Sequence, residues 1–355
     1  MKDSFYRVFR RLYFGSHFGF FGLLLKVFLI PFVPMYVVGR RINQYMRNKR
    51  GRQLPCPVLS VGNISVGGAG KTAVVAFVVE KLRNSGFQPA ILKRGEGTKT
   101  GIIDENFHGN SVEMGDEVAL LHDRFPEVPI GVGPNRFSRA VELLDENDLD
   151  CFLLDDGFQR RQLHRDLDIV LLGSLKEFDG WQLPAGPLRE SIHALERADY
   201  VSLKTESTSK EGDYNKFVKR LETTVPELSE RAYVHYYEFD SIQSFDGREW
   251  DSGSELHLLS TLARPDRLEQ FLENQGYKVT VHKKLPDHAS LESGDLGDEI
   301  EPEQLVVTKK EWGKLPDEYQ ETAGIIKSYL RWYPEVPPVV EWMENAVRKK
   351  ENSSS

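Results

Sequence analysis

An α/β fold, a parallel sheet flanked by helices, is predicted by three observations. After Arg52, short apolar runs alternate with segments of helical period, and strand–helix alternation builds a parallel sheet covered on both faces. One glycine-rich turn, "GNISVGGAGKT", joins the first such strand to the first such helix. The chain has 355 residues, of which 40% are hydrophobic, enough for two domains with real cores.

Taken in order, residues 1–40 form an N-terminal leader. "FGFFGLLLKVFLI" (18–30) is apolar but interrupted by Lys26, and Pro31 and Pro34 would kink a continuation to Val38. Thirteen helical residues reach roughly 20 Å, short of the roughly 30 Å hydrocarbon core. Both flanks are basic, which a single span cannot reconcile with the positive-inside rule. An interfacial, monotopic helix is the favoured reading; a tilted span, a signal peptide and a buried helix are the alternatives. Residues 1–52 carry eleven Lys/Arg against Asp3 alone, whereas the whole chain has a net charge of −8. An acidic body behind a basic leader argues against nucleic-acid binding and suits an enzyme held at an anionic surface. Two cysteines, Cys56 and Cys151, make no disulfide framework and point to a reducing compartment.

In the body, "CPVLSVGN", "QPAILKRG", "VPIGVG", "CFLLDD", "DIVLLGS" and "DYVSLK" read as strands, and "KTAVVAFVVEKLRNSG" and "RFSRAVELLDEN" as helices. "KTESTSKEGDYNK" (204–216) reads as a polar loop near a boundary. Beyond it, "LHLLSTLARPDRLEQFLENQGYKVTVHKKLPDH" reads as strand, helix, strand, and "EQLVVTKKEW" adds a strand end. The expected domains are therefore the leader (1–40), a larger nucleotide-binding domain (41–225), a smaller C-terminal α/β domain (226–345) and a disordered tail (346–355).

The glycine-rich turn has the parts of a phosphate-binding loop. A strand leads in, Gly67, Gly68, Ala69 and Gly70 form the turn, and Lys71 and Thr72 open an amphipathic helix. Backbone N–H groups at such a helix start converge on phosphates, with the lysine on the β/γ oxygens and the hydroxyl on Mg²⁺. The usual run G-x-x-x-x-G-K-[ST] would put a glycine at Ser65; the displaced entry glycine is read as Gly62. An apolar strand ending in Asp155-Asp156 supplies a Walker B signal for the metal. No guanine-reading N-K-x-D motif is present, and "SLKT" after Tyr200 is a poor substitute, which weighs against a switch GTPase.

With these stretches, "LKRGEG", "MGDEVALL", "VGPNRFSRA", "LLDDGFQRRQLHRDLDIVLL", "WQLPAGPLRE", "STLARPDRLEQFL", "PDHAS" and "VVTKKEW" resemble, in order, the tetraacyldisaccharide 4′-kinase family. The fold expected from the resemblance is a P-loop NTPase-like parallel sheet with a smaller C-terminal domain and a membrane-associated N-terminal helix. The activity it implies is transfer of the ATP γ-phosphate to the 4′-hydroxyl of a lipid A disaccharide precursor. Lys71 would contact the β/γ-phosphates; Thr72, Glu117, Asp155 and Asp156 would be the Mg²⁺ side. Asp116 and His288 resemble the acid–histidine pair that prepares the sugar hydroxyl. Arg136, Gln159, Arg189 and Glu190 resemble substrate-side residues.

The same resemblance places the protein, peripheral or monotopic, on the cytoplasmic leaflet of the bacterial inner membrane, with no obligate protein partner. The alternative function is a membrane-associated nucleotide-binding switch without lipid kinase activity. Three positions depart from the family pattern: Arg160 in place of a histidine, Glu96 in place of an aromatic, and "TKKE" (308–311) in place of a more acidic run.

Overall fold

The computed structural model describes residues 27–47, 51–95, 100–105, 107, 114–159, 162–244, 250–261, 266–285, 291, 296–297 and 299–354. The chain divides into two compact units, residues 1–236 with 330–355, and residues 237–329. The expected boundaries at 225/226 and 345/346 meet a different arrangement. The chain leaves the first unit inside one long strand, re-enters it inside another, and its C-terminal stretch belongs to the first unit.

In the first unit, a 3-10 turn at Ile30–Phe32 takes up Pro31 and leads straight into α1 (Val33–Arg47). Pro34 falls in the first turn of α1, where a missing N–H removes no helical bond. There follow β1 (Val58–Asn63), α2 (Lys71–Asn84), β2 (Pro89–Lys93), β3 (Gly101–Ile103), α3 (Asp116–Arg124), β4 (Ile130–Val132), α4 (Arg136–Glu146), β5 (Cys151–Asp155), β6 (Leu167–Leu172), β7 (Tyr200–Lys204), α5 (Lys210–Thr224) and the start of β8 (Ala232–Ser244). The strand order is β8-β7-β6-β1-β5-β2-β4-β3. All these pairings are parallel except β3 with β4 at the edge.

The apolar runs form strands buried on both faces, and their alternation feeds two cores. Leu59, Val61, Ile91 and Leu153 pack with Val74, Val75, Val78, Val79 and Leu82 of α2. Val58, Ala90, Leu92, Phe152 and Leu154 face Ala140 and Leu143 of α4 on the other side. The stretch 204–216, expected as a loop, is helical from Lys210. Its polar first turn, with Glu211 and Asp213, conceals a buried Phe217–Leu221 pair one turn apart. The expected tail lies in α9 (Val339–Ser354), the last helix of the chain, which seats Val339 and Met343 in the first core.

The second unit continues β8 and adds β9 (Glu255–Ser260), α6 (Asp266–Asn274), β10 (Lys278–Lys284), β11 (Leu305–Thr308), two short helices α7 (Lys309–Trp312) and α8 (Asp317–Gln320), and β12 (Gly324–Tyr333). Its strands run β10-β9-β11-β12, all parallel. Alternation again splits the core: Leu256, Leu258 and Val306 pack with Leu268 and Leu272 of α6, and Leu259, Leu305 and Val307 face the opposite cluster. In the divergent "TKKE" run, Glu311 is buried and accepts from the Thr261 N–H at 3.1 Å and from the hydroxyls of Thr261 and Thr308. That acid braces Thr261, just past the end of β9.

Gly62 lies inside β1, not in the turn. A Cβ there would come within 2.5 Å of the Phe158 Cβ, so this glycine lets the strand and the "DDGF" segment approach. The Gly62→Ala variant is expected to lose about 1–3 kcal/mol of stability through overpacking, read by urea denaturation.

Glu177, in the 3-10 turn Leu175–Asp179, is 4% exposed and accepts from the Gly173 N–H at 2.8 Å. Burial pushes its carboxyl from 4.5 up to about 7. Between those values the folded chain keeps a proton that the unfolded chain loses, so stability falls as pH rises through this window, by about 3 kcal/mol at most. Glu177→Gln keeps the acceptor and should flatten that fall in Tm-versus-pH scans.

Candidate functional site

β1 ends at Asn63, and the chain turns through residues 64–70 into α2. Gly67 and Gly70 adopt φ of 144° and 85°, a region open to glycine at no steric cost. Gly70 is the N-cap of α2, so the first N–H groups of the helix lack intrahelical acceptors and face the turn. The loop is laced to the "AGPLRE" segment. The Val66 N–H donates to the Pro187 carbonyl at 2.8 Å, the Arg189 N–H to the Ile64 carbonyl at 2.7 Å, and Ser65 bridges Leu188. Ser65 is therefore a buried, strand-like position, and no glycine is required where the usual motif has one.

The outer side of the loop is held from beneath. His235 of β8 is fully buried; its Nε2–H donates to the Ala69 carbonyl at 3.0 Å and its Nδ1 accepts from the Ser202 hydroxyl at 2.8 Å. The carbonyl can only accept, which places the proton on Nε2. Burial, with Lys204 nearby, pushes the imidazole down to about 3, so it stays neutral. Lys204, at the end of β7, reaches the Gly68 carbonyl at 3.5 Å. A trans peptide points its N–H opposite to its C=O; tying the Ala69 carbonyl outward aims the Gly70 N–H inward.

The acidic turn after β5 lies alongside. Asp156 has φ of 54°, in the left-handed region that Asp tolerates better than most residues. Its N–H donates to the Val61 carbonyl at 3.0 Å. Its carboxylate pairs with Arg189 Nη1 at 3.0 Å and Lys71 Nζ at 3.5 Å. Burial pushes this carboxyl up, but Lys71, Arg189 and Arg136 outweigh it and hold it below the ordinary aspartate value. Gln159 donates to the Asn63 carbonyl and lies 3.5 Å from Arg189. Arg136, buried at the start of α4, donates to the Asp155 and Asp156 carbonyls at 2.8 and 3.3 Å.

Asp155 is 1% exposed. One of its oxygens is bound by Lys93, whose ammonium also reaches Glu117 at 2.6 Å. The other, Oδ1, is buried without a hydrogen-bond partner among the described residues. Burial pushes the Lys93 ammonium down, and Asp155 and Glu117 more than offset it, leaving it above its ordinary value. No group of three or more His, Cys, Asp or Glu among the described residues is placed so that it could hold a metal ion by itself. An orphaned carboxylate oxygen, a second carboxylate and the Thr72 hydroxyl nevertheless fit Mg²⁺, which takes one or two carboxylates plus substrate phosphates.

Of the residues singled out in the sequence, Gly67, Gly68, Ala69, Gly70, Lys71 and Thr72 form the loop and helix start, and Glu117, Asp155, Asp156, Arg136, Gln159 and Arg189 gather beside them. Glu190, next to Arg189, is 1% exposed and its carboxylate pairs with Arg40 of α1 at 2.9 Å and Arg197 at 3.0 Å. Asp116 is the first residue of α3; its side chain, and His288 and Arg160 entirely, lie outside the described residues. Lys93, His235, Lys204 and Arg40 were not legible as site residues. Only the lysine ending an apolar strand, "PAILK", carried a local signal.

The family model for tetraacyldisaccharide-1-P 4′-kinase (LpxK) matches residues 25–348. The chain belongs to the tetraacyldisaccharide 4′-kinase family. A relative of that name from Bdellovibrio bacteriovorus is 31% identical over 317 residues, covering 84% of this chain and 92% of its own. One from Syntrophus aciditrophicus is 32% identical over 318 residues, covering 83% and 84%. The crystal structure of LpxK from Aquifex aeolicus in complex with ATP superposes with a TM-score of 0.69 at 27% identity, over 92% of this chain and 99% of that one.

His235 is expected to act on nucleotide affinity through the loop. Replacing it with leucine strands the Ala69 carbonyl, a loss of about 1–3 kcal/mol, and should weaken ATP binding about tenfold by calorimetry. His235→Gln, which keeps a donor, should recover part of it.

Proposed function

We propose that this chain transfers the γ-phosphate of ATP to the 4′-hydroxyl of a tetraacyldisaccharide 1-phosphate, a lipid A precursor. The observation that carries the reading is the convergence, on the carboxyl ends of β1, β2 and β5, of a lysine-bearing phosphate loop and an acidic pair, in a chain of this family. Ligands of open parallel sheets bind at those strand ends.

Each residue has a task in this reading. The inward N–H groups of the loop bind the phosphates, and Lys71 follows the charge that develops on the transferring group. Thr72, Asp155 and Glu117 would hold Mg²⁺, which supplies neutralising charge on the phosphate oxygens. Asp156 keeps Lys71 and Arg189 extended toward the same side. The family resemblance assigns Asp116 and His288 to the proton of the sugar hydroxyl, which must leave as the P–O bond forms because such a hydroxyl barely ionises at neutral pH. Arg189 and Gln159 flank the acceptor.

The substrate carries acyl chains, and α1 suits a membrane surface. Phe28, Phe32, Met35, Val38 and Ile42 are exposed at spacings that keep them on one side. Tyr36 and Arg40 face the body instead, Tyr36 donating to the Arg189 carbonyl at 3.4 Å. No helix among the described residues is long and apolar enough to cross a membrane. In this reading the helix lies in the interface of the cytoplasmic leaflet of the inner membrane.

Purified protein incubated with γ-labelled ATP, Mg²⁺ and the lipid A precursor should place label in the lipid. Hydrolysis without labelled lipid would instead favour a nucleotide switch. Lys71→Ala should lose about 10²–10³ in rate with an unchanged circular dichroism spectrum; a folded variant keeping more than half its activity would overturn the role of the loop.

A further inference from the structure

Lys93 enters neither the loop nor the acidic turn, yet it lies at the centre of the metal-side acids. Its position follows from the sheet. β2 and β5 are parallel neighbours with Leu92 beside Leu154, so the next residues, Lys93 and Asp155, end adjacent strands side by side. Glu117, in the first turn of α3, completes the clamp. The lysine side chain is 13% exposed and that of Asp155 2%, so neither charge is left to water.

Asp156 is compensated by Lys71 and Arg189, and Asp155 and Glu117 by Lys93. Among these described side chains, three acids face three cations. A divalent cation arriving alone therefore meets no net negative charge among these side chains, and to reach Asp155 it must compete with an ammonium at contact distance. If that ammonium is displaced, the groups that can take it are the phosphate oxygens of a nucleotide.

We propose that Lys93 is a resident counter-ion at the metal-side carboxylates, exchanged for the divalent cation, so that metal enters together with nucleotide rather than before it. The inference rests on the kinase reading for what these acids hold, but its test does not use phosphate transfer.

The full-length protein is titrated with Mn²⁺ alone, without nucleotide, and bound metal is read by the loss of the free-ion paramagnetic resonance signal. Wild type should bind weakly. Lys93→Met should bind at least about tenfold more tightly, the effect expected when a unit charge is removed at contact distance. Lys93→Arg, which keeps the charge, should bind like wild type. Equal affinities for wild type and Lys93→Met would overturn the proposal, as would Lys93→Arg behaving like Lys93→Met.

Lys93→Met leaves a buried carboxylate uncompensated and its fold is checked by circular dichroism. A second measurement on wild type does not depend on that variant. At Mn²⁺ concentrations that saturate the site, reductive methylation of Lys93, read by peptide mass spectrometry against exposed Lys278, should rise. Unchanged protection would overturn the exchange. Lipid phosphorylation with equal Mn²⁺ affinities would sink the exchange and leave the kinase reading standing; tighter Mn²⁺ binding by Lys93→Met without lipid phosphorylation would do the reverse.

Discussion

A loop that binds phosphate through backbone N–H groups must first dispose of its own carbonyls, and the rest of this site depends on how that is done. Each inward N–H is coupled through a rigid peptide plane to an outward C=O. Here the carbonyls of residues 64, 68 and 69 are taken by the Arg189 N–H, Lys204 and His235. An imidazole serves one of these posts because burial keeps it neutral: it donates to the loop without adding a charge beneath it. The lacing from Ser65 to Leu188 ties the same loop to the segment bearing Arg189, so the two share one backbone frame.

Charge at the strand ends is organised by pairing rather than by excess. Asp156 is held ionised between Lys71 and Arg189, and its left-handed backbone is stabilised by Arg136 on the adjacent carbonyls. Arg136 thus shapes the acidic turn from behind. Buried charges of this kind are tolerable only when matched, which explains why Asp155 and Asp156 at these strand ends each have a cation within reach.

The leader is joined to this frame through a few polar contacts. Arg40 meets the buried Glu190, one residue from Arg189, and Tyr36 reaches the Arg189 carbonyl. The helix that presents an apolar side outward is thus fastened to the segment that lines the site. For a substrate with acyl chains, such a connection puts the sugar head and the apolar part of the molecule within reach of one element.

The sequence alone determined the strand and helix alternation of the first unit, the phosphate loop and the acidic pair, because each is written in local periodicity, glycine placement or strand-end chemistry. It misread residues 204–216, where a polar first turn concealed Phe217 and Leu221, and it mistook Gly62 for part of the turn. What the tertiary structure decided are the contacts between residues distant in the chain. Lys93 meets Asp155 only because β2 and β5 are neighbours, His235 reaches Ala69 across 166 positions, and Glu190 meets Arg40 of the leader helix. Strand order and the closing of buried charges are properties of the packed sheet: no local pattern encodes which strand lies beside which, and a charged side chain finds its partner only once burial makes being unpaired too costly.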